Sequence, residues 1–497
     1  MLINASRSRD ILECIASLSS DEVATPPAVA NQVLDLLPVE VWSNKDLRWL
    51  DPACKTGVFL REAARRLMEG LKDSIPDETE RRKHIFTNML HGYALTELTA
   101  QMSRRSLYYN KDASSKKLSV VPFKSEKGNI QFSGQDHPYN TNGKCNICGA
   151  GKEVFGAPGN RERHAYDFIH SEEGDMKFDV VVGNPPYQIE SGGFGAQATP
   201  IYHLFIEQAI RLRPRYIAMI IPSRWFTGGM GLGEFRRYML TSRKLRNLVD
   251  VPNEKELFPD VKVEGGVCYF LWDENHRGDC TMTTLSSGQQ SAPVQRNLAE
   301  NDGFFVRDSE AVGLMERMKL LIDSGGSLDQ LVSPINPYGL ATNFIAPRSD
   351  RGANLVNLHS RGGVQTLVDE AVIPQGKETI HLWKVFVSKA YGGTEQVIGR
   401  PILASPPSAS TMTYIFLGPF GSKLEAESMV CLLNSKTIRF LIKLLKPTQD
   451  LSRKCFKLVP ILPLDRHWTE EEIQSQLNIS AKEKNLIDSS VRILNND

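Results

Sequence analysis

The chain has 497 residues, 41% hydrophobic and 24% charged, the composition of an ordinary soluble globular protein with room for two domains. A net charge of +1 gives a weak global field, so binding of a polyanion has to rest on local patches. Without a long apolar run a secretory signal or membrane span is not expected, and eight cysteines, scattered apart from one close pair, point to a reducing cytoplasm.

In chain order, Thr25-Pro26-Pro27 opens a helix predicted over Pro27–Leu37. A strand over Leu47–Leu50 runs into Asp51-Pro52-Ala53-Cys54-Lys55-Thr56-Gly57, and an amphipathic helix follows over Val58–Leu71. Such a small-residue turn lets a nucleoside approach the backbone while a helix N-terminus faces it. A second strand, Asn88–Leu95, leads to a helix over Glu97–Tyr108. Residues 111–163 break the pattern: they are polar and read as an insertion between two sheet strands.

The insertion contains Cys145-Asn146-Ile147-Cys148, which has metal-ligand spacing. Tetrahedral zinc needs two more ligands, and His137, His164 and His170 are nearby. Cys145, Cys148, His164 and His137 are the expected set, with two free thiols in a loop as the alternative. A small polar insertion gains from such a staple, because it cannot bury a core of its own.

The strand Phe178–Val182 ends in Gly183 and delivers Asn184-Pro185-Pro186-Tyr187. The Asn184 side-chain oxygen and the Pro185 carbonyl can each accept an N–H from a planar amino group, and Tyr187 can stack on the ring that carries it. The two prolines offer no N–H of their own. A helix over Ile201–Leu212 and strands Tyr216–Ile221, Leu245–Val251 and Gly266–Trp272 follow. Alternating strands and helices predict an α/β fold with a doubly wound, Rossmann-like sheet, whose ligands bind at the carboxyl ends of strands. Both Asp51 and Asn184 belong there.

From about residue 285 the texture changes to short strand-like runs and many turns, a second, mixed α+β domain over 286–497 after a first over 1–285. Residues 436–457 hold seven Lys or Arg against one Asp, with Phe440 and Phe456 interleaved. That run suits DNA phosphates, and equally an amphipathic helix with a solvated basic face. The strand-like Trp383–Lys389 is a second candidate DNA-facing segment.

Together, the DPAC…GVFL and NPPY strings resemble the adenine-N6 DNA methyltransferases of bacterial restriction-modification systems, in the branch whose cofactor motif comes first and whose target-recognition domain is C-terminal. The resemblance implies S-adenosylmethionine as donor, a flipped adenine as acceptor, DNA as partner and a separate cognate restriction endonuclease. It implies cofactor roles for Thr25, Pro26, Asp51, Ala53, Gly57, Asp167 and Phe168. Asn184, Pro185, Pro186 and Tyr187 match the catalytic motif, and Phe258 matches a ring against the other face of the base. Two positions depart. Lys55 stands where relatives often carry glycine, which costs roughly 1 kcal/mol if the site needs positive φ. Ala94 occupies the place of the ribose-binding acid, and Glu97 is the nearest substitute. The same NPPY serves enzymes that methylate a protein glutamine, and a chain that had lost its cofactor could survive as a DNA-binding subunit; these are the alternatives.

Overall fold

The computed structural model describes residues 24–134, 136–155, 166–171, 177–189, 198–298, 305–345, 354–390, 397–446 and 450–491. The chain divides into two compact units, Met1–Gly303 and Phe304–Asp497.

The first unit is built on strands β1 (Trp49–Cys54), β2 (Leu90–Ala94), β3 (Ile130–Gln131), β4 (Val180–Gly183), β5 (Gln188–Ile189), β6 (Thr199–Pro200), β7 (Tyr216–Pro222), β8 (Leu245–Val251), β9 (Val267–Asp273), β10 (Cys280–Ser286), β11 (Gln289–Gln290) and β12 (Val294–Arg296). β5 and β6 pair only with each other, and the rest form one sheet in the order β11-β10-β8-β9-β7-β4-β1-β2-β3, with β12 beside β10. Neighbours from β7 through β4, β1 and β2 to β3 are parallel, while β9 runs antiparallel between β7 and β8. β4, β7 and β9 are buried along their whole length. That explains why they read as continuous apolar runs and not as alternating ones.

From β1 the chain travels outward through β2 and β3, then returns to β4 on the other side of β1. This reversal opens a crevice at the carboxyl ends of β1 and β4. β3 comes from inside the expected insertion, so that segment supplies the edge of the sheet. β10 lies parallel to β8 and carries β11 and β12, which keeps the chain in the first unit past residue 285.

Helices α1 (Pro27–Leu34), α2 (Val58–Gly70), α3 (Glu97–Tyr108), α4 (Asp167–His170), α5 (Tyr202–Arg211) and α6 (Gly233–Thr241) connect or flank these strands. α2 shows the rule that forms them. Phe59, Leu60, Ala63, Ala64 and Leu67 are buried on one face, and Glu62, buried among them, is paired with Arg65 at 2.7 Å and Asn31 at 3.1 Å.

The second unit holds two three-stranded sheets and is mixed α+β. One comprises β13 (Leu355–His359), β14 (Gln365–Asp369) and β17 (Ser408–Ser410); the other β15 (Trp383–Ser388), β16 (Ile402–Ala404) and β18 (Tyr414–Phe420). Helices α7 (Val312–Gly325), α8 (Lys423–Asn434) and α9 (Lys436–Leu444) pack with the second of these sheets. Of the two DNA-facing segments expected here, the Trp383–Lys389 segment is largely internal, whereas the basic run 436–457 buries its aromatic rings and Arg439 but leaves Lys443, Arg453, Lys454 and Lys457 exposed. Phe440 and Phe456 are core residues, 1% and 0% exposed. Arg439 is buried and donates to the carbonyls of Leu433 and Ile398, while Lys443 donates to the Ser490 carbonyl. On β15, Lys384, Val385, Phe386 and Val387 are all buried.

Lys384 donates through Nζ to the Ser408 carbonyl at 3.0 Å, Ser408 Oγ at 3.2 Å and the Ile380 carbonyl at 3.3 Å. Burial lowers its pKa from 10.5 to about 7. A lysine that loses its proton near pH 7 when folded, but only near 10.5 when unfolded, makes folding more favourable as pH rises across that interval. The melting temperature of the wild-type chain should therefore climb more between pH 7 and 10 than that of Lys384→Met, as read by calorimetry. Equal slopes would contradict this account of Lys384.

Candidate active site

The β1–β4 register pairs Trp49 with Val180 and Leu50 with Val181, which brings Asp51 to the end of β4 with its carboxylate against Gly183. A Cβ on Gly183 would lie 2.8 Å from Asp51 Oδ1, closer than such atoms approach. An alanine there would have to displace the Asp51 carboxylate or part the two strand ends. Past them, Thr25, Asp51, Ala53, Lys55, Gly57 and Asn184 line one cleft.

Asn184 is 3% exposed. Its Nδ2 donates to Thr25 Oγ1 at 3.0 Å, which fixes the plane of the amide. Its Oδ1 is buried and accepts no hydrogen bond from any described residue. An unmatched buried acceptor costs about 1–3 kcal/mol, so this oxygen is poised for a donor that arrives from elsewhere. Thr25 directly precedes Pro26, which sits at the N-cap of α1 with Pro27 as the first helical residue.

Asp51 Oδ1 accepts from the Ala53 amide at 3.0 Å. Burial raises its pKa from 3.8 to about 7, opposed by that amide, by Cys54 and by the positive charge of Lys55. The turn closes at Gly57, which has φ of 72° and ψ of 14° and serves as N-cap of α2. A Cβ there would lie 2.8 Å from Leu107 Cδ1 and 3.2 Å from Ser103 Cα, both on α3. The left-handed position is therefore Gly57. Lys55 has no positive φ, and the strain considered for it does not arise.

The other expected residues do not line this cleft. Pro185 and Pro186 are buried, and Tyr187 is half-buried against the apolar cluster that includes Leu257 and Phe258. Phe258 is 2% exposed within that cluster. Ala94 ends β2, and Glu97 lies exposed in the first turn of α3, where it accepts from Gln101 Nε2 at 3.2 Å. Glu97 does not line the cleft. Asp167 is buried, and its carboxylate accepts from the Ser133 amide and, at 2.8 Å, from Ser133 Oγ. Phe168 packs its ring 5.7 Å from that of Tyr93 on β2 and 6.1 Å from Phe205 on α5.

In the insertion His137, Cys145, Cys148 and His170 converge, with their ligand atoms all within 4.8 Å of one another. His170 takes the place expected for His164, which lies outside the described residues.

A family model for Eco57I restriction-modification methylases matches residues 88–258. An uncharacterized adenine-specific methylase from Mycoplasma pneumoniae is 38% identical over 308 residues, covering 56% of this chain and 73% of that protein. The chain belongs to the adenine-specific methylases of restriction-modification type. Similar solved structures include a modification subunit of a putative type I restriction enzyme from Vibrio vulnificus YJ016. It is 17% identical, covers 55% of this chain and 49% of that one, and has a TM-score of 0.34. A nuclease-deletion mutant of the Type ISP enzyme LlaGI, in complex with a DNA substrate mimic, is 11% identical. It covers 95% of this chain and 47% of that one, with a TM-score of 0.49. The methylase thus spans about half the length of these solved proteins.

The matched span contains Asn184–Tyr187, Asp167, Phe258 and the His–Cys cluster of the methylase, whereas Asp51 and Gly57 fall before it. Sequence reasoning singled out both strand-end motifs but missed what joins them. Gly183 and the Thr25–Asn184 hydrogen bond are visible only once β1 and β4 are neighbours. Among the described residues of the methylase, no helix is long and apolar enough to cross a membrane.

Proposed function

We propose that the methylase transfers a methyl group from S-adenosylmethionine to N6 of an adenine flipped out of DNA. The observation that carries this reading is Asn184 Oδ1, a buried acceptor without a partner among the described residues and fixed by Thr25 at the carboxyl end of β4. An exocyclic amine is the donor such an oxygen lacks. The Pro185 carbonyl offers a second acceptor, and Pro186 has no N–H to compete for it. Two acceptors on one amine draw its lone pair out of conjugation and stabilise the positive charge that develops on nitrogen. Tyr187 and Phe258 would hold the ring, offsetting the few kcal/mol needed to unstack it.

The donor supplies an electrophilic methyl on a sulfonium. Residues present fit it: Gly57 leaves the turn without a Cβ, Asp51 contributes a buried carboxylate for a cationic group, and α2 begins at the cleft. Thr25 and Pro26 would flank the methionine end, Asp167 and Phe168 the adenine, and Glu97 the ribose side. The second unit, Phe304–Asp497, would recognise the DNA target, with a separate restriction endonuclease as functional partner in the cytoplasm.

Asp51 gives this reading a pH signature. With its pKa near 7, the carboxyl is mostly protonated below that value and must ionise to meet a cationic donor. Donor affinity should therefore rise with pH, by up to about tenfold per pH unit below 7, and level off above it. Titration calorimetry from pH 5.5 to 8.5 would show this, with proton release on binding at the acid end; Asp51→Asn should flatten the curve. A wild-type affinity that falls as pH rises would refute the assignment of Asp51 to the donor.

The acceptor is tested by offering duplex DNA and glutamine-containing peptides in parallel with labelled donor. Label in DNA alone is expected, and label in peptide alone would overturn the proposed function.

A further inference from the structure

We propose that His137, Cys145, Cys148 and His170 bind one zinc ion, and that this ion holds α4 in place so that Asp167 and Phe168 shape the adenine end of the donor site. The second half rests on the methyltransferase reading; the first does not.

Two edges of the cluster have the length expected in a tetrahedral site. Cys145 Sγ lies 3.4 Å from His170 Nε2, and Cys148 Sγ lies 3.3 Å from His137 Nδ1. Bond lengths of about 2.3 Å to sulfur and 2.0–2.1 Å to nitrogen give a tetrahedral S···N edge of roughly 3.5 Å. Two thiols and two imidazoles are a structural zinc set with no position left for water or substrate. The surroundings also fit. His170 Nδ1 lies 3.1 Å from the Tyr166 carbonyl, which takes the ring proton there and leaves Nε2 with its lone pair toward the cluster. The Ile147 amide donates to Cys145 Sγ at 3.4 Å, a bond that favours thiolate. A tight turn brings the second cysteine back: the Gly149 amide bonds the Cys145 carbonyl at 3.0 Å, with Gly149 at φ 76°. Binding would release the two thiol protons to solvent.

What the ion would join gives it a role. α4 is a single turn of four residues, too short to persist by itself. Two side-chain ties fasten it to the segment after β3. Asp167 bonds Ser133, and one turn later His170 reaches His137, four residues beyond Ser133. The turn between those ties carries Phe168 onto Tyr93, at the end of β2. Zinc is therefore a clip between the inserted segment and the sheet, set close to the residues assigned to the donor adenine.

The test uses the full chain purified without chelator. Elemental analysis should find about one zinc per chain, and cobalt substitution should give thiolate-to-metal charge-transfer absorption. Chelation should raise hydrogen exchange in residues 130–137 and 166–171 and weaken donor binding by roughly tenfold or more. His170→Ala should reproduce both effects. His170→Cys should restore metal and protection, which separates ligation from mere packing. Less than about 0.2 zinc per chain after zinc addition, or a Cys145–Cys148 disulfide in the native protein, would overturn the site. Zinc retained by His170→Ala but lost from His164→Ala would overturn the ligand set. Unchanged exchange in 166–171 after chelation would overturn the clip. Hydrogen exchange needs no cofactor, so a zinc-loaded protein that binds no donor counts against the methyltransferase reading and not against the metal.

Discussion

Asn184→Ala should lower the single-turnover rate of methyl transfer by about 100-fold or more, while donor affinity changes by less than about threefold. The variant removes an acceptor for the target amine but leaves Asp51, Ala53 and Gly57 untouched. Asn184 Oδ1 accepts nothing from the described residues, so its loss frees no internal donor, and the lost Nδ2 leaves behind only the Thr25 Oγ1 acceptor. Folding should be little affected, because an unmatched buried acceptor is destabilising to begin with. Thr25→Val should give a smaller loss of roughly tenfold, since the amide stays but its orientation relaxes. Rapid-quench kinetics together with donor calorimetry separate these effects. Parent-like turnover in Asn184→Ala would remove this residue from the chemistry.

Gly183→Ala should damage the same site from another direction. Its added Cβ falls 2.8 Å from Asp51 Oδ1, an oxygen already held by the Ala53 amide. Asp51 is buried, so its side chain has little room to swing away. Relief requires the carboxylate to leave the Ala53 amide or β1 and β4 to separate at their carboxyl ends, and overpacking of this kind costs about 1–3 kcal/mol. Donor affinity and methyl transfer should both fall by roughly tenfold or more, with a drop in melting temperature of a few degrees. This signature differs from that of Asn184→Ala, in which donor binding survives. A Gly183→Ala protein with parent-like donor affinity would show that the two strand ends are looser than their spacing implies.

Legibility in the sequence followed local periodicity. α3 spans Glu97–Tyr108 as predicted, and α1, α2 and α5 differ by a few residues at their ends. β4 and β7 announced themselves as apolar runs because both faces are covered. The strand-end position of Asp51 and Asn184 followed from that alternation, even though 130 or so residues separate them.

What escaped has physical causes. β3 is only two residues long, too short for any period to show, and it lies in a polar segment. β10 interleaves buried and half-buried residues at the very place where the composition shifts, so it read as the edge of a new domain. Lys384 and Arg439 looked like surface charges because the carbonyls that satisfy them are supplied by tertiary contacts with no trace in local sequence. His170 was one of three candidate histidines, and only the fold of α4 against the knuckle selects it.

An amine-accepting asparagine and a donor cleft together should methylate adenine. The direct test is transfer of labelled methyl from S-adenosylmethionine to unmethylated genomic DNA, followed by digestion and mass spectrometry of the nucleosides. N6-methyladenine is the expected labelled product, formed at least ~100-fold more slowly by Asn184→Ala. Label on cytosine, or unlabelled DNA from a protein that binds the donor tightly, would contradict that expectation.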